Sequence, residues 1–127
     1  MAAVDTNILV RLLTQDDPVQ TRKAEAYLLA QAPLWVPLSV LVETVHVLSR
    51  LYGWSKPVLV AVLQGMTHSR HLNLQDQPAV AAATALWSTA KAGFVDCLNV
   101  ELAKCHGKEP LATFDKEVAK LPGAMRL

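Results

Sequence analysis

Leu34-Trp35-Val36-Pro37-Leu38-Ser39-Val40-Leu41-Val42-Glu43 is the stretch on which the fold turns. Its first four residues read as a short buried strand, entered after Pro33. Ser39 then caps a helix expected to run to about Leu51 and to end near Gly53. A brief apolar strand feeding straight into an apolar-faced helix is the unit from which covered parallel sheets are built.

Working outward, the same alternation continues on both sides. Upstream, Asp17-Pro18-x-Gln20 supplies an N-cap, a proline at the first helical position and a glutamine where a capping box wants one. That helix is expected to reach about Gln31. Before it lie the apolar run Ala2-Ala3-Val4, ending at Asp5, and a helical stretch from Ile8 to Leu13. Downstream, Ser55-Lys56-Pro57 starts a helix to about His68, and Leu72-Asn73-Leu74 is a short strand. Asp76-Gln77-Pro78 opens an Ala-rich helix that Gly93 is expected to close. Cys97 to His106 is helical with Gly107 as its stop, Pro110 to Phe114 is a strand ending at Asp115, and Ala124 to Leu127 is an edge strand after a short helix. The pattern predicts an α/β fold, a three-layer α/β/α sandwich with a four- or five-stranded mainly parallel sheet. No repeat or linker interrupts it, so residues 1–127 are expected to form a single domain.

Bulk properties narrow the class without choosing a partner. With 52% apolar and 18% charged residues the chain is globular rather than disordered. Its apolar runs, such as Val40-Leu41-Val42, fall far short of the roughly 20 residues a membrane helix requires. The first residues lack the basic and apolar regions of a secretory signal, so a cytoplasmic location is expected. Cys97 and Cys105 form no C-x-x-C pair and are expected to be reduced core residues. A net charge of +1 does not by itself point to nucleic acid, so any such case must come from the site.

In sheets of this kind the ligand crevice lies beyond the carboxyl ends of the strands. Asp5, Asp96 and Asp115 are each expected at a strand-to-helix junction, where an N-cap or Asx-turn is the ordinary role of aspartate. Glu43 falls in a helix that is apolar on nearly every face, so it is expected to be buried. An ion pair with His46 or Arg50 would answer the cost of burying it, and so would a metal. Capping alone does not explain why all four acids are expected near one edge. Hard divalent cations take oxygen ligands, and converging carboxylates repel one another unless a cation offsets them. The set therefore implies an ion, which can acidify and orient an attacking water without any Ser, Cys or His nucleophile.

These residues also carry a resemblance. Val4-Asp5-Thr6-Asn7, Glu43, Phe94-Val95-Asp96 and Thr113-Phe114-Asp115, in this order and at these separations, resemble the PIN-domain nucleases, particularly the toxins of bacterial VapBC toxin–antitoxin pairs. The likeness covers essentially the whole chain. It implies a PIN-like fold and an endoribonuclease in which Asp5, Glu43, Asp96 and Asp115 are catalytic and hold Mg²⁺ or Mn²⁺. Asn7 and Thr113 would be accessory polar groups, and Glu117 a further accessory acid. It also implies an RNA substrate, a homodimer, and an antitoxin whose C-terminal segment occupies the active-site groove. Cys97 departs from the small apolar residue that such relatives often carry after the third acid.

Other features read as structural. His68 and His71 near a helix end complement its dipole, and Trp35, Trp54 and Trp87 are not spaced as a base-stacking platform. Arg11, Arg22, Lys23, Lys91 and Lys116 are distributed along the chain rather than clustered. Two rival functions remain. A phosphatase phosphorylated on Asp5 would want a second acid two residues on, where Asn7 stands. A catalytically silent PIN-fold RNA- or protein-binding module is the non-enzymatic alternative.

Overall fold

The computed structural model describes residues 1–127 and divides into two compact units, Met1–Gln75 and Asp76–Leu127. The first unit holds α1 (Thr6–Thr14), α2 (Pro18–Gln31), β1 (Leu34–Val36), α3 (Leu38–Arg50), α4 (Lys56–His68) and β2 (Leu72–Leu74). β1 and β2 pair in parallel, Leu34 opposite Leu72 and Val36 opposite Leu74. The strand expected at Ala2–Val4 is reduced to one parallel bridge, Ala3 to Trp35. It is bracketed by Trp35 N–H donating to the Ala2 carbonyl at 2.8 Å and Val4 N–H to the Trp35 carbonyl at 3.2 Å. Around this minimal sheet α1 packs on α2 and α3, α3 on α4, and α4 on β2.

The deciding stretch folds as its pattern requires. Leu34 and Val36 are both fully buried while Trp35 points outward at 36% exposure. In α3 the buried residues are Leu41, Thr44 and Leu48, one stripe at helical spacing. The helix begins one residue before the expected Ser39 cap, with Pro37 in the cap position and no side-chain cap of its own. Gln75 takes that role from a distance, its Oε1 accepting the Leu38 N–H at 2.9 Å. By contrast α2 starts as the sequence predicts, Asp17 accepting from the Val19 and Gln20 amides with Pro18 at the first position.

A polar hub ties the end of α1 to the loop after α3. Asp16 accepts from Arg11 Nη1, from Tyr52 Oη at 2.8 Å and from Thr14 Oγ1 at 2.8 Å. The Tyr52 hydroxyl, then Thr14 and Arg11, hold the Asp16 carboxyl down to about 2, against an ordinary value of 3.8. The same bonds to Tyr52 and Asp16 raise the Arg11 guanidinium. A depressed carboxyl contributes stability in full above its ordinary pKa, and the contribution is lost as the pH falls from about 3.8 towards about 2. Tyr52→Phe is therefore expected to move the Asp16 titration upward and to shift the onset of acid unfolding to higher pH. Carboxyl-detected NMR titration checks the first; an unchanged Asp16 midpoint would show that the hydroxyl is not what holds it.

The second unit holds α5 (Gln77–Thr89), α6 (Phe94–Cys105), β3 (Leu111–Thr113), α7 (Lys116–Ala119) and β4 (Ala124–Arg126). The α5–α6 pair is its main packing element, and Trp87 meets Phe94 with ring centroids 5.4 Å apart. β3 and β4 pair in parallel, Leu111 opposite Ala124 and Thr113 opposite Arg126. Gly107 ends α6 as expected, in the left-handed region at φ +66°, with Lys108 N–H reaching the Ala103 carbonyl and Gly107 N–H that of Lys104.

The fold is thus α/β with parallel pairing. Its four strands pair as two parallel ladders of two strands, one in each unit.

Candidate active site

Asp5 is the N-cap of α1, its Oδ1 accepting the Ile8 N–H at 3.2 Å. Val4 before it and Thr6 after it are buried while Asp5 and Asn7 are exposed, so the turn pins the backbone and leaves the carboxylate at the surface. Oδ2 has no hydrogen bond within the chain.

Glu43 departs from expectation. It is exposed, not buried, and no ion pair joins it to His46 or Arg50. The apolar residues flanking it made α3 look buried all round, but Val40, Val42, Val45 and Val47 are only half-buried and Glu43 lies off the Leu41–Thr44–Leu48 stripe. A solvated carboxylate here costs no desolvation.

Asp96 also differs. No strand precedes it: α5 ends at Thr89, and Gly93, at φ −73°, caps the start of α6 rather than closing α5. Asp96 sits at the third position of α6, half-buried, with Oδ2 accepting the Gly93 N–H at 3.3 Å. It is the reciprocal half of a capping box, in which a first-turn acid reaches back to the cap amide. The glycine has no side chain to complete the other half. Cys97 beside it is buried, filling the place of the expected small apolar residue, whereas Cys105 is exposed and not the core residue expected.

Asp115 caps α7, two residues beyond the end of β3. Its Oδ1 accepts the Glu117 and Val118 amides at 2.7 and 3.0 Å, so Oδ2 is left open. Thr113 Oγ1 accepts the Asp115 N–H at 3.0 Å, fixing the residue from its other side. Glu117 is half-buried and paired with Lys120 Nζ at 3.0 Å.

Asp5 and Glu43 thus belong to the first unit, Asp96 and Asp115 to the second. Neither unit by itself gathers three or more His, Cys, Asp or Glu side chains into a group able to hold a metal ion. The donor set is nevertheless of the right kind. Each of the four acids keeps at least one carboxylate oxygen outside the hydrogen bonds and ion pairs described, and hard cations are bound through such oxygens.

The remaining motifs settle simply. His68 Nδ1 bonds the Gln64 carbonyl at 2.8 Å inside the last turn of α4 and forms no metal pair with His71. His106 Nε2 contacts Asp76 Oδ1 at 3.1 Å. Trp54 packs near Tyr52, ring centroids 6.5 Å apart. What the sequence reading missed is a groove on the first unit, of about 440 Å³, lined by Asp5, Asn7, Ile8 and Arg11 of the α1 segment and by Gln20, Lys23, Ala24 and Tyr27 of α2. The signal was present, since the α2 residues recur at helical spacing. It was hidden because Arg11 and Lys23 read as members of a distributed set of basic residues, with nothing in the sequence to select them. No helix is long and apolar enough to cross a membrane.

Comparison with known proteins bears on the same stretches. The PIN-domain family profile matches residues 2–124. The chain is 27% identical over 124 residues to a VapC ribonuclease of Aquifex aeolicus (strain VF5), an alignment covering 95% of this chain and 92% of that protein. Among solved structures, a toxin-antitoxin complex from Klebsiella pneumoniae aligns over 98% of this chain and 96% of its own, with 23% identity and a TM-score of 0.38.

Proposed function

The chain belongs to the PIN-domain family, and from that premise we propose that it is a Mg²⁺- or Mn²⁺-dependent endoribonuclease working as one domain over residues 1–127. The observation that carries the reading is the state of the four motif acids: Asp5, Glu43, Asp96 and Asp115 are present, outside every ion pair, and each keeps an uncommitted oxygen. Its likeness to a VapC ribonuclease over nearly its whole length supports RNA as the substrate.

All four acids would hold the ion. The chemistry such an ion supplies when bound is positive charge at the phosphodiester and a more acidic attacking water. The chain's part is orientation. Asp5 and Asp115 are fixed by the amides they cap, and Asp96 by the Gly93 amide. Thr113 steadies Asp115 through its backbone; Asn7, exposed beside Asp5, steers water or an RNA oxygen; Glu117 is a third accessory group, already engaged with Lys120. Hydrolysis by water leaves a 5′-phosphate and a 3′-hydroxyl. We further propose that the protein is the toxin of a type II toxin–antitoxin pair, a cytoplasmic homodimer whose cognate antitoxin closes the active-site groove. The resemblance of its four motifs to VapC toxins supports this.

Metal removal tests the central claim. EDTA is expected to abolish cleavage of single-stranded RNA and excess Mn²⁺ to restore it, with 5′-phosphate product ends. Cleavage that survives chelation overturns the metal reading. The alternative is a catalytically silent PIN-fold module that binds RNA or protein. Calorimetric titration with Mg²⁺ and Mn²⁺ separates the two: a folded protein with no affinity for either ion is the module.

A further inference from the structure

The groove beside Asp5 has a composition that the four acids do not account for. Gln20, Lys23, Ala24 and Tyr27 stand at i, i+3, i+4 and i+7 of α2, so they form one face of that helix. Over that spacing the helix rises about 10 Å. Ala24 is 2% exposed and makes a shallow floor, while Tyr27 is 43% exposed. The opposite wall is Asn7, Ile8 and Arg11, with Asp5 at its head.

Charge separates the two cations in the lining. The Arg11 guanidinium is committed to Asp16 and Tyr52, so its charge is already offset. Lys23 is exposed and in no ion pair. An unpaired ammonium and a half-open phenol ring, one helical turn apart on the same face, suit a single-stranded polynucleotide: a phosphate for the first and a base for the second. The volume, about 440 Å³, is that of a small-ligand cleft and takes a nucleotide unit more readily than a folded partner's surface.

We propose that this groove is a substrate subsite, in which Lys23 Nζ binds an RNA phosphate next to the scissile one and the Tyr27 ring stacks on the adjoining base, Gln20 and Asn7 offering amides to polar edges. The proposal rests on the ribonuclease reading, since it makes the groove the track by which RNA reaches Asp5.

The test is binding of a short, labelled, single-stranded RNA of mixed sequence, read by fluorescence anisotropy across a salt series. An Asp115→Asn background keeps the RNA intact. Lys23→Gln is expected to weaken binding and to lower the slope of log affinity against log salt by about 0.7, the value for one single-strand phosphate. Lys23→Arg restores the slope. Tyr27→Ala is expected to weaken binding about tenfold and Tyr27→Phe to retain it, because stacking needs the ring and not the hydroxyl. In cleavage assays Lys23→Gln raises KM much more than it changes kcat.

Affinity and salt slope unchanged in both Lys23→Gln and Tyr27→Ala overturn the subsite, even if the parent protein cuts RNA in a metal-dependent way. Effects confined to binding of a protein partner overturn it too, and make the groove a protein-docking surface. Failure of the parent protein to cut RNA at all removes the ribonuclease reading instead, while the anisotropy series still reports on the groove.

Discussion

Asp5→Asn is expected to reduce RNA hydrolysis by at least about 100-fold while leaving the protein folded. The substitution is chosen because it separates the two roles of this residue. Asparagine is as good an N-cap as aspartate, so its amide oxygen keeps the bond that Asp5 Oδ1 makes to the Ile8 N–H at 3.2 Å. What is lost is the negative charge and one anionic oxygen, which are what a hard cation requires. Initial rates at saturating Mg²⁺, beside a urea unfolding curve, check both halves. A variant that cuts RNA at close to the parental rate would remove Asp5 from the metal set. Asp115→Asn follows the same logic, since the Glu117 and Val118 amides keep their acceptor.

The second large effect falls on stability. Leu48→Ala is expected to cost about 2–5 kcal/mol, a large part of the roughly 5–15 kcal/mol that holds a domain of ordinary size together. Leu48 is fully buried on the stripe of α3 that carries Leu41 and Thr44, so truncation leaves a cavity in contact with fixed neighbours. With a urea slope of about 1–3 kcal/mol/M, the unfolding midpoint should fall by about 1 M or more. Glu43→Gln, five residues earlier on the same helix, is the contrasting case. Its side chain is exposed and unpaired, so it should shift stability by no more than about 0.5 kcal/mol while impairing cleavage. A loss of both properties in Glu43→Gln would make that acid structural.

The contrast between Leu48 and Glu43 also marks what a sequence can convey. Periodicity and caps carried most of the fold: Asp17 and Pro18 start α2 where they were expected to, and Gly107 stops α6. Parallel strand pairing at Leu34–Val36 and Leu72–Leu74 followed from apolar runs between helices. Burial was harder to read. Valines on several faces of α3 suggested a fully covered helix, yet half-burial suffices for them and the acid among them is in water. Gly93 illustrates the same difficulty for boundaries. Glycine is common at helix ends of either kind, and only the backbone angle and the Asp96 bond reveal that it begins α6 rather than ending α5. Contacts between distant residues, such as Gln75 capping Leu38 or Tyr52 reaching Asp16, leave no local pattern at all. Of the four acids proposed as ligands, Asp5, Asp96 and Asp115 lie in short motifs that the sequence displays, whereas Glu43 was singled out by a burial it does not have; the face formed by Lys23 and Tyr27 became visible only when α1 was set against α2.

One pairing on α6 has a use unrelated to chemistry at the acids. Cys97 and Cys105 share that helix, the first at 0% exposure and the second open to solvent. A thiol reagent in water meets Cys105 in the native state and meets Cys97 only when the helix lifts from its unit. The protein therefore contains its own clock and its own reference on a single element: Cys105 fixes the reagent's intrinsic speed, and the lag of Cys97 behind it measures how often the core of this unit opens.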